Sequence, residues 1–375
     1  VYWNTLVVGA GLSGTVAARQ FAENGHKVLV VEKKDHLGGH CNDYINDCGI
    51  CVHRYGPHIF HTASKEVWDY VNRFSPFSCY QHRVKSYVEG RLMPFPINLD
   101  TVNEVFGTHL NVTEVKDFLK NEVDKAEYTN PPWNFRDTVV SQVGERLYNL
   151  FFANYTKKQW NRDPEELSPD LAKRIPVRTG RDDRYFSDQY QGIPARGYTE
   201  MIREILNHPN ISLLLNTDYF EISNDFDCEF MVYTGELDRY FDYRFGKLEY
   251  RSLRLEMVDM DSERYQSTAV VNYPNDYEWT RITEFKHFLE NKSDKTTLCF
   301  EFPETDGNPY YIVPTRENFT RREKYMKEVA ILEKSRKVFF LGRLAEYKYF
   351  NMDEVILNVL NRLRNEAIGT YNREL

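Results

Sequence analysis

The sequence predicts an α/β fold in which one domain is assembled from three separated stretches of chain, with two insertions between them. Three observations carry the prediction. The first 32 residues run apolar strand, glycine turn, helix, second apolar strand. Apolar strands of the same kind return at 229–233 and 337–341. The chain between them reads as helical over 100–172 and as alternating polar and apolar over 243–315.

The opening unit is the most specific part. Thr5 to Val8 form the strand, and Gly9-Ala10-Gly11-Leu12-Ser13-Gly14 follows. A helix with Val16, Ala17 and Phe21 on one face comes next, then Val28 to Val31, ending at Glu32. Gly9 permits the tight turn, Gly11 lets backbone approach a pyrophosphate, and Gly14 lets the helix pack on its strand. The helix N-terminus offers free N–H groups to phosphates, and Glu32 is placed to accept hydrogen bonds from a ribose. In this order the parts read as a Rossmann-like dinucleotide grip. A glycine doublet, Gly38-Gly39, lies just beyond Glu32. FAD-binding proteins of the glutathione-reductase type carry such a doublet near the pyrophosphate and flavin, so FAD is favoured over NAD. A plain turn is the alternative.

Further along, a helix is expected over Thr62 to Phe74, and strand-like sequence over 79–97. Thr101-x-x-Glu104 and Asn111-x-x-Glu114 resemble helix starts. Another helix runs from about Asp137, with Val140, Val143, Leu147 and Phe151 on one stripe. Region 161–184, rich in charge and proline, reads as a loop able to move. A helix from Tyr198 to Leu206, a strand from Ile211 to Leu215 and a closing helix from Met352 to Ile368 complete the pattern. The dinucleotide domain is therefore expected from 1–77, 191–242 and 320–375. The helical domain is expected at 100–172, and the antiparallel sheet domain at 78–99, 173–190 and 243–319.

With 41% hydrophobic and 28% charged residues, the composition is that of an ordinary globular protein. A net charge of −8 argues against a dedicated nucleic-acid binder. No apolar run approaches the roughly 20 residues of a membrane helix, and the first strand begins too early to leave room for a signal peptide; both point to the cytoplasm. His40, Cys41, Cys48, Cys51 and His53 crowd together, but with one C-x-x-C and no second pair they read as reduced cysteines on a hairpin, with no metal.

Four further motifs sharpen the reading. They are His53-Arg54-Tyr55-Gly56-Pro57-His58-Ile59-Phe60-His61-Thr62; Tyr155-Thr156-Lys157-Lys158-Gln159-Trp160 with Arg174-Ile175-Pro176; Phe241 to Gly246 with Tyr250-Arg251-Ser252-Leu253; and Gly342-Arg343-Leu344-Ala345-Glu346-Tyr347-Lys348-Tyr349. Together they resemble the bacterial UDP-galactopyranose mutase family over essentially the whole chain. The resemblance implies interconversion of UDP-galactopyranose and UDP-galactofuranose on reduced FAD, through a covalent flavin N5–sugar adduct and without net redox change. It also implies a homodimer and a transient external reductant such as NAD(P)H.

By resemblance, Arg174 and Arg251 clamp the diphosphate, and Tyr185, Tyr311 and Tyr349 donate hydroxyls to it. Phe151 and Tyr155 form the uracil platform, and Trp160 packs near the sugar. His61 lies by the flavin and the reacting sugar, and His58 shapes its loop. Arg343 stands close to the flavin, and Glu301 lies in the site without an assigned role. Gly9, Gly11, Gly14, Glu32, Gly38, Gly39 and His40 complete the cofactor set. Two residues depart from the family pattern: His40 follows the doublet where Asn is common, and Asn351 stands where Asp is common. A mutase for another nucleotide sugar (UDP-N-acetylgalactosamine or dTDP-fucose), an amine-oxidase-like flavin oxidoreductase and a non-catalytic FAD scaffold remain the alternatives.

Overall fold

Thr5, Leu6, Val7 and Val8 are all buried, because their strand, Trp3–Val8, is the middle of a parallel sheet covered on both faces. The computed structural model describes residues 3–223 and 227–365, without the side chains of Lys173, Arg174, Arg336 and Asn365. Among these residues the sheet has five strands. Their order is Val338–Phe340, Cys228–Tyr233, Trp3–Val8, Val28–Val31, Ile211–Leu214, each pair parallel. It draws on three separated stretches, so the predicted α/β, Rossmann-like class is observed. Helices Leu12–Glu23, Tyr198–Leu206 and Met352–Asn365 pack together on one face. On the other, Leu237, Phe241, Tyr325 and Val329 close a second core.

The second sheet has seven strands in the order Tyr311–Ile312, Tyr250–Met260, Thr296–Glu304, Arg281–Glu284, Val270–Asn272, Val84–Val88, Arg91–Phe95. All pairs are antiparallel except Val270–Asn272 with Val84–Val88. The helical part, Leu99–Phe106, Glu114–Asp124, Phe135–Tyr148 and Asn154–Trp160, meets this second sheet, Leu99–Phe106 at Arg91–Phe95 and Asn154–Trp160 at Thr296–Glu304.

Local hydrogen bonds decide where the elements start. Phe60–Thr62 is a strand, and the helix expected from Thr62 begins at Lys65, because the Ser64 hydroxyl accepts the Val67 N–H. Thr101 is inside its helix. The cap is Asn98, whose Oδ1 accepts the Thr101 N–H at 3.0 Å while Thr101 Oγ1 accepts the Asn98 N–H at 3.2 Å. Asn111 and Glu114 form the expected reciprocal pair, at 3.1 and 2.8 Å. The long stripe through Phe151 is buried but not one straight helix. Gly144 breaks it at φ 77°, and a π turn, Asn149–Ala153, re-phases it. Helix Arg316–Arg336 carries little apolar periodicity in the sequence: only a few apolar residues such as Tyr325 and Val329 anchor a strongly charged surface helix. The expected end of the closing helix at Ile368 lies outside the described residues. Among the described residues no helix is long and apolar enough to cross a membrane.

The antiparallel sheet buries a carboxylate at Glu284. Glu284 is fully buried and accepts the Tyr265 and Gln266 N–H groups, the Thr296 hydroxyl and His287 Nε2 at 2.7–3.2 Å. Burial pushes its pKa up, but these donors outweigh it and hold the carboxyl at about 2. The folded pKa is therefore below the unfolded one. The stabilisation is complete above about 4.5 and is lost as pH falls towards about 2. Glu284→Ala should cost about 3 kcal/mol in denaturant unfolding at neutral pH, and the deficit should shrink on acidification. An unchanged midpoint would remove Glu284 from the stability account.

Candidate active site

The strand-to-helix turn builds the first half of the site. Gly9 has φ 105°, and a Cβ on Gly14 would lie 1.9 Å from the Gly9 carbonyl oxygen, so the helix sits directly on the turn. Its N-terminal residue, Gly11, provides no side-chain cap, and no acidic residue occupies the first turn. The N-terminal N–H groups and the positive dipole end are left for an anion. A Cβ on Gly11 would meet nothing closer than Gly39 Cα at 3.8 Å. Gly38 pairs with Gly11, and its N–H reaches the Ala10 carbonyl at 2.9 Å. The glycine doublet thus runs alongside the phosphate-type turn. Glu32 is buried and fixed by the Ala10 N–H at 2.7 Å and the Lys34 N–H at 2.9 Å.

Gly9, Gly11, Glu32, Gly38 and Gly39 line a cleft enclosing about 1220 Å³ of space, open mouth included, together with His40, His58, Arg343 and Asn351. An uncapped helix end, bare glycine backbone and a fixed carboxylate suit a dinucleotide pyrophosphate and ribose. His58 is held neutral, its pKa brought down to about 3 by burial, with His53 adding to the effect. His40 also lies well below the ordinary histidine range through burial, then Lys34 and Arg343, and stacks on Tyr310 at 4.7 Å and 12°.

Arg343 joins this cleft to a second centre. Its Nη2 donates to the Tyr310 carbonyl at 2.7 Å, and its guanidinium lies 5.3 and 5.4 Å from the ring centres of Tyr311 and Tyr349. Those two rings stack at 6.1 Å and 9°, and Trp160 meets Tyr311 edge-on at 6.2 Å. Tyr155 and Tyr185 interact with the same group. Burial raises the Tyr155 hydroxyl to about 12, with Arg281 opposing and Glu301 reinforcing, so it remains a neutral donor.

At the middle stands Arg281, which the sequence reading missed. Its Nε lies 3.1 Å from Glu301 Oε2; Arg281 is 24% exposed and Glu301 only 1%. Burial works against the guanidinium charge, but Glu301 and the tyrosines outweigh it and keep it charged. Burial raises the Glu301 carboxyl, with Arg281 opposing, and Glu301 Oε1 is buried without a partner. The two residues are cross-strand partners. The sequence signal was a charge set in an apolar strand on each side, Trp279-Thr280-Arg281-Ile282 and Phe300-Glu301-Phe302, and only the register joins them.

The other expected residues divide. Arg251 is buried, its Nε donating at 2.9 Å to the carbonyl of Gln159, the residue before Trp160, and its Nη1 to Thr305 Oγ1 at 2.7 Å. Phe151 is buried against Phe95. His61 is not in the cleft lining. Its Nδ1 meets Asp188 Oδ2 at 2.7 Å and its ring lies flat on Phe186 at 3.6 Å, next to Tyr185. Arg174 closes the turn Pro169–Arg174, and its side chain lies outside the described residues. Asn351 leads into the helix Met352–Asn365, its N–H bonded to Glu354.

The cysteine hairpin has a structural job. Asp43–Ile45 pairs with Cys51–His53, and Cys41, Cys48 and Cys51 are free thiols. Asp43, Cys51 and His53 offer atoms within 4.8 Å of one another. Asp43 uses both carboxylate oxygens to accept the Tyr198 and Thr199 N–H groups, at 2.5 and 2.9 Å, at the start of the helix Tyr198–Leu206.

Fold and site define a Rossmann-class dinucleotide-binding protein with a tyrosine- and arginine-lined centre beside its cofactor cleft. Comparison with known proteins narrows this class. Residues 150–349 match the family described as UDP-galactopyranose mutase, and 7–74 match the NAD(P)-binding Rossmann-like domain. A probable UDP-galactopyranose mutase of Klebsiella pneumoniae is 37% identical over 99% of this chain and 96% of its own length. A dTDP-fucopyranose mutase of Escherichia coli is 36% identical over 94% and 95%. The crystal structure of a reduced UDP-galactopyranose mutase agrees in fold, with TM-score 0.76 at 17% identity over 98% of this chain and 97% of that one. The chain belongs to the UDP-galactopyranose mutase family, and it is an enzyme of the isomerase class.

Proposed function

We propose that this enzyme interconverts UDP-galactopyranose and UDP-galactofuranose with no net redox change, using bound FAD in its reduced form. The observation that carries the reading is the junction at Arg343. It lines the cleft shaped for a dinucleotide and lies against the Tyr311–Tyr349 stack beside Arg281 and Glu301. Gly9, Gly11, Gly14, Glu32, Gly38, Gly39, His40 and His58 would hold FAD. Reduced flavin, when bound, would supply a nucleophile for the anomeric carbon.

The chain's own residues must hold the departing UDP and shield the sugar. Arg174, Arg251 and Arg281 supply positive charge for the diphosphate; Tyr185, Tyr311 and Tyr349 supply hydroxyl donors. Phe151 and Tyr155 flank the base, and Trp160 packs by the sugar. His61, tied through Asp188 and Phe186 to the segment of Tyr185, serves the sugar side, and Asn351 lies where that side meets the cofactor. A transient reductant such as NAD(P)H, a homodimeric state and a cytoplasmic setting belong to the same reading.

A second reading is dTDP-fucopyranose interconversion, favoured by a relative of that name at nearly the same identity. The test is anaerobic incubation with UDP-galactofuranose or dTDP-fucofuranose, with and without dithionite, and chromatography of the products. Conversion of the uridine sugar only when reduced supports the proposal. Conversion of the thymidine sugar alone selects the second reading, and flavin bleaching by substrate without isomerisation replaces both with an oxidoreductase.

Arg251→Ala and Arg174→Ala should each lower kcat/KM about a hundredfold, the order expected for losing a charged donor to a leaving group, while the protein still purifies yellow. Near-normal turnover in either variant would remove that arginine from the diphosphate site.

A further inference from the structure

We infer that Lys158 is a positioning residue for the nucleotide subsite: its ammonium clasps the loop 273–280 to the helix carrying Tyr155, and so sets Tyr155 against Arg281. The inference rests on the nucleotide-sugar reading above and concerns a residue that reading leaves unused.

Lys158 Nζ donates to three backbone carbonyls, those of Tyr273 at 2.5 Å, Tyr277 at 2.9 Å and Trp279 at 3.2 Å. An ammonium has three donors and no acceptor, so this tripod uses it completely. Because all three acceptors are main chain, the contact fixes the path of the loop itself. Two more bonds act on the same loop. Asn154 Nδ2 donates to Asn275 Oδ1 at 3.0 Å, and Asn275 Nδ2 donates to the Leu150 carbonyl at 3.0 Å. Residues 150, 154 and 158 thus turn one side of the helical run to the loop.

The loop leads directly into the site. It is closed at its base by the Tyr273 N–H on the Thr280 carbonyl at 2.8 Å and by the Asn272–Arg281 strand pair. Arg281 follows at once. Tyr155, three residues before Lys158, interacts with that same Arg281 and with Glu301. Burial lowers the Lys158 pKa to about 8, with Asp276 opposing, so at neutral pH the ammonium is mostly the charged form the tripod requires. Tyr277 and Trp279 stack at 4.5 Å, which stiffens the clasped loop.

The test is Lys158→Met, which keeps the aliphatic stem and removes the three donors, with UDP as the probe. UDP dissociation constant, KM, kcat, FAD content and melting temperature are measured on FAD-loaded protein. The dissociation constant and KM should rise about tenfold, the scale of losing a charge-assisted hydrogen bond, with kcat changed less than about threefold and FAD content unchanged. A folded variant whose UDP affinity stays within about twofold of wild type would overturn the inference. If Lys158→Met does not fold, Asn275→Ala, which removes the two flanking bonds, must weaken UDP binding in the same sense; unchanged affinity there overturns the inference equally. Failure of the wild-type protein to bind UDP would instead strike the nucleotide reading on which the inference stands.

Discussion

Arg281→Ala is expected to lower turnover at least about a hundredfold and to destabilise the fold by about 3–5 kcal/mol, because it strands a buried carboxylate. Glu301 is 1% exposed, Arg281 is its charged partner at 3.1 Å, and its second oxygen has none. Burial already raises the Glu301 pKa, so without the guanidinium this carboxyl would protonate more readily still. The sign follows. An acid with a raised folded pKa binds more protons folded than unfolded, so stability falls as pH rises through that window. The deficit of Arg281→Ala should therefore shrink at acid pH. Arg281→Ala combined with Glu301→Gln should recover much of the stability, since no buried charge is left unpaired, but not the turnover. Recovery of turnover in the double variant would show that Arg281 serves only to neutralise Glu301.

The second large effect is expected at Gly14. A Cβ there would lie 1.9 Å from the Gly9 oxygen and 3.2 Å from Val7 Cγ1, so Gly14→Ala must push the helix Leu12–Glu23 off its strand. Neither neighbour can yield: Gly9 is turn backbone and Val7 is fully buried. The purified protein should carry less than roughly a tenth of the wild-type FAD, a loss of at least about 1.4 kcal/mol in binding, and should melt lower even without cofactor. Gly11→Ala provides the contrast. Its Cβ would meet no protein atom within 3.8 Å, so cofactor-free protein should melt as wild type does while FAD content falls. Equal melting of the two cofactor-free variants would show that the helix can shift to admit Gly14→Ala.

Much of the architecture was legible because it is local. The run Val28–Val31 is buried on both faces, as a continuous apolar strand in a parallel sheet must be, and it reads that way without any neighbour. Asn111 and Glu114 announce their helix for the same reason: cap and acid are three residues apart. Local rules misled where a stronger local competitor was present. Ser64 outbid Thr62 as a helix start, and Asn98 outbid Thr101. Helix Arg316–Arg336 escaped because its burial depends on a few side chains meeting a sheet face built from distant chain.

The sequence by itself determined the dinucleotide turn, since glycine spacing, strand, helix and acid occupy one continuous stretch whose geometry backbone sterics impose. It also determined the family, through motifs whose residue order survives without coordinates. Tertiary structure alone decided how those motifs meet. Arg281 and Glu301 become partners only through the register of two strands twenty residues apart, and Arg343 reaches Tyr311 and Tyr349 only where two sheets converge. His61 likewise meets Asp188 and Phe186, which stand far along the chain, only in the folded protein. Charge pairing and ring stacking act through space over a few ångströms, so no periodicity along the chain encodes them.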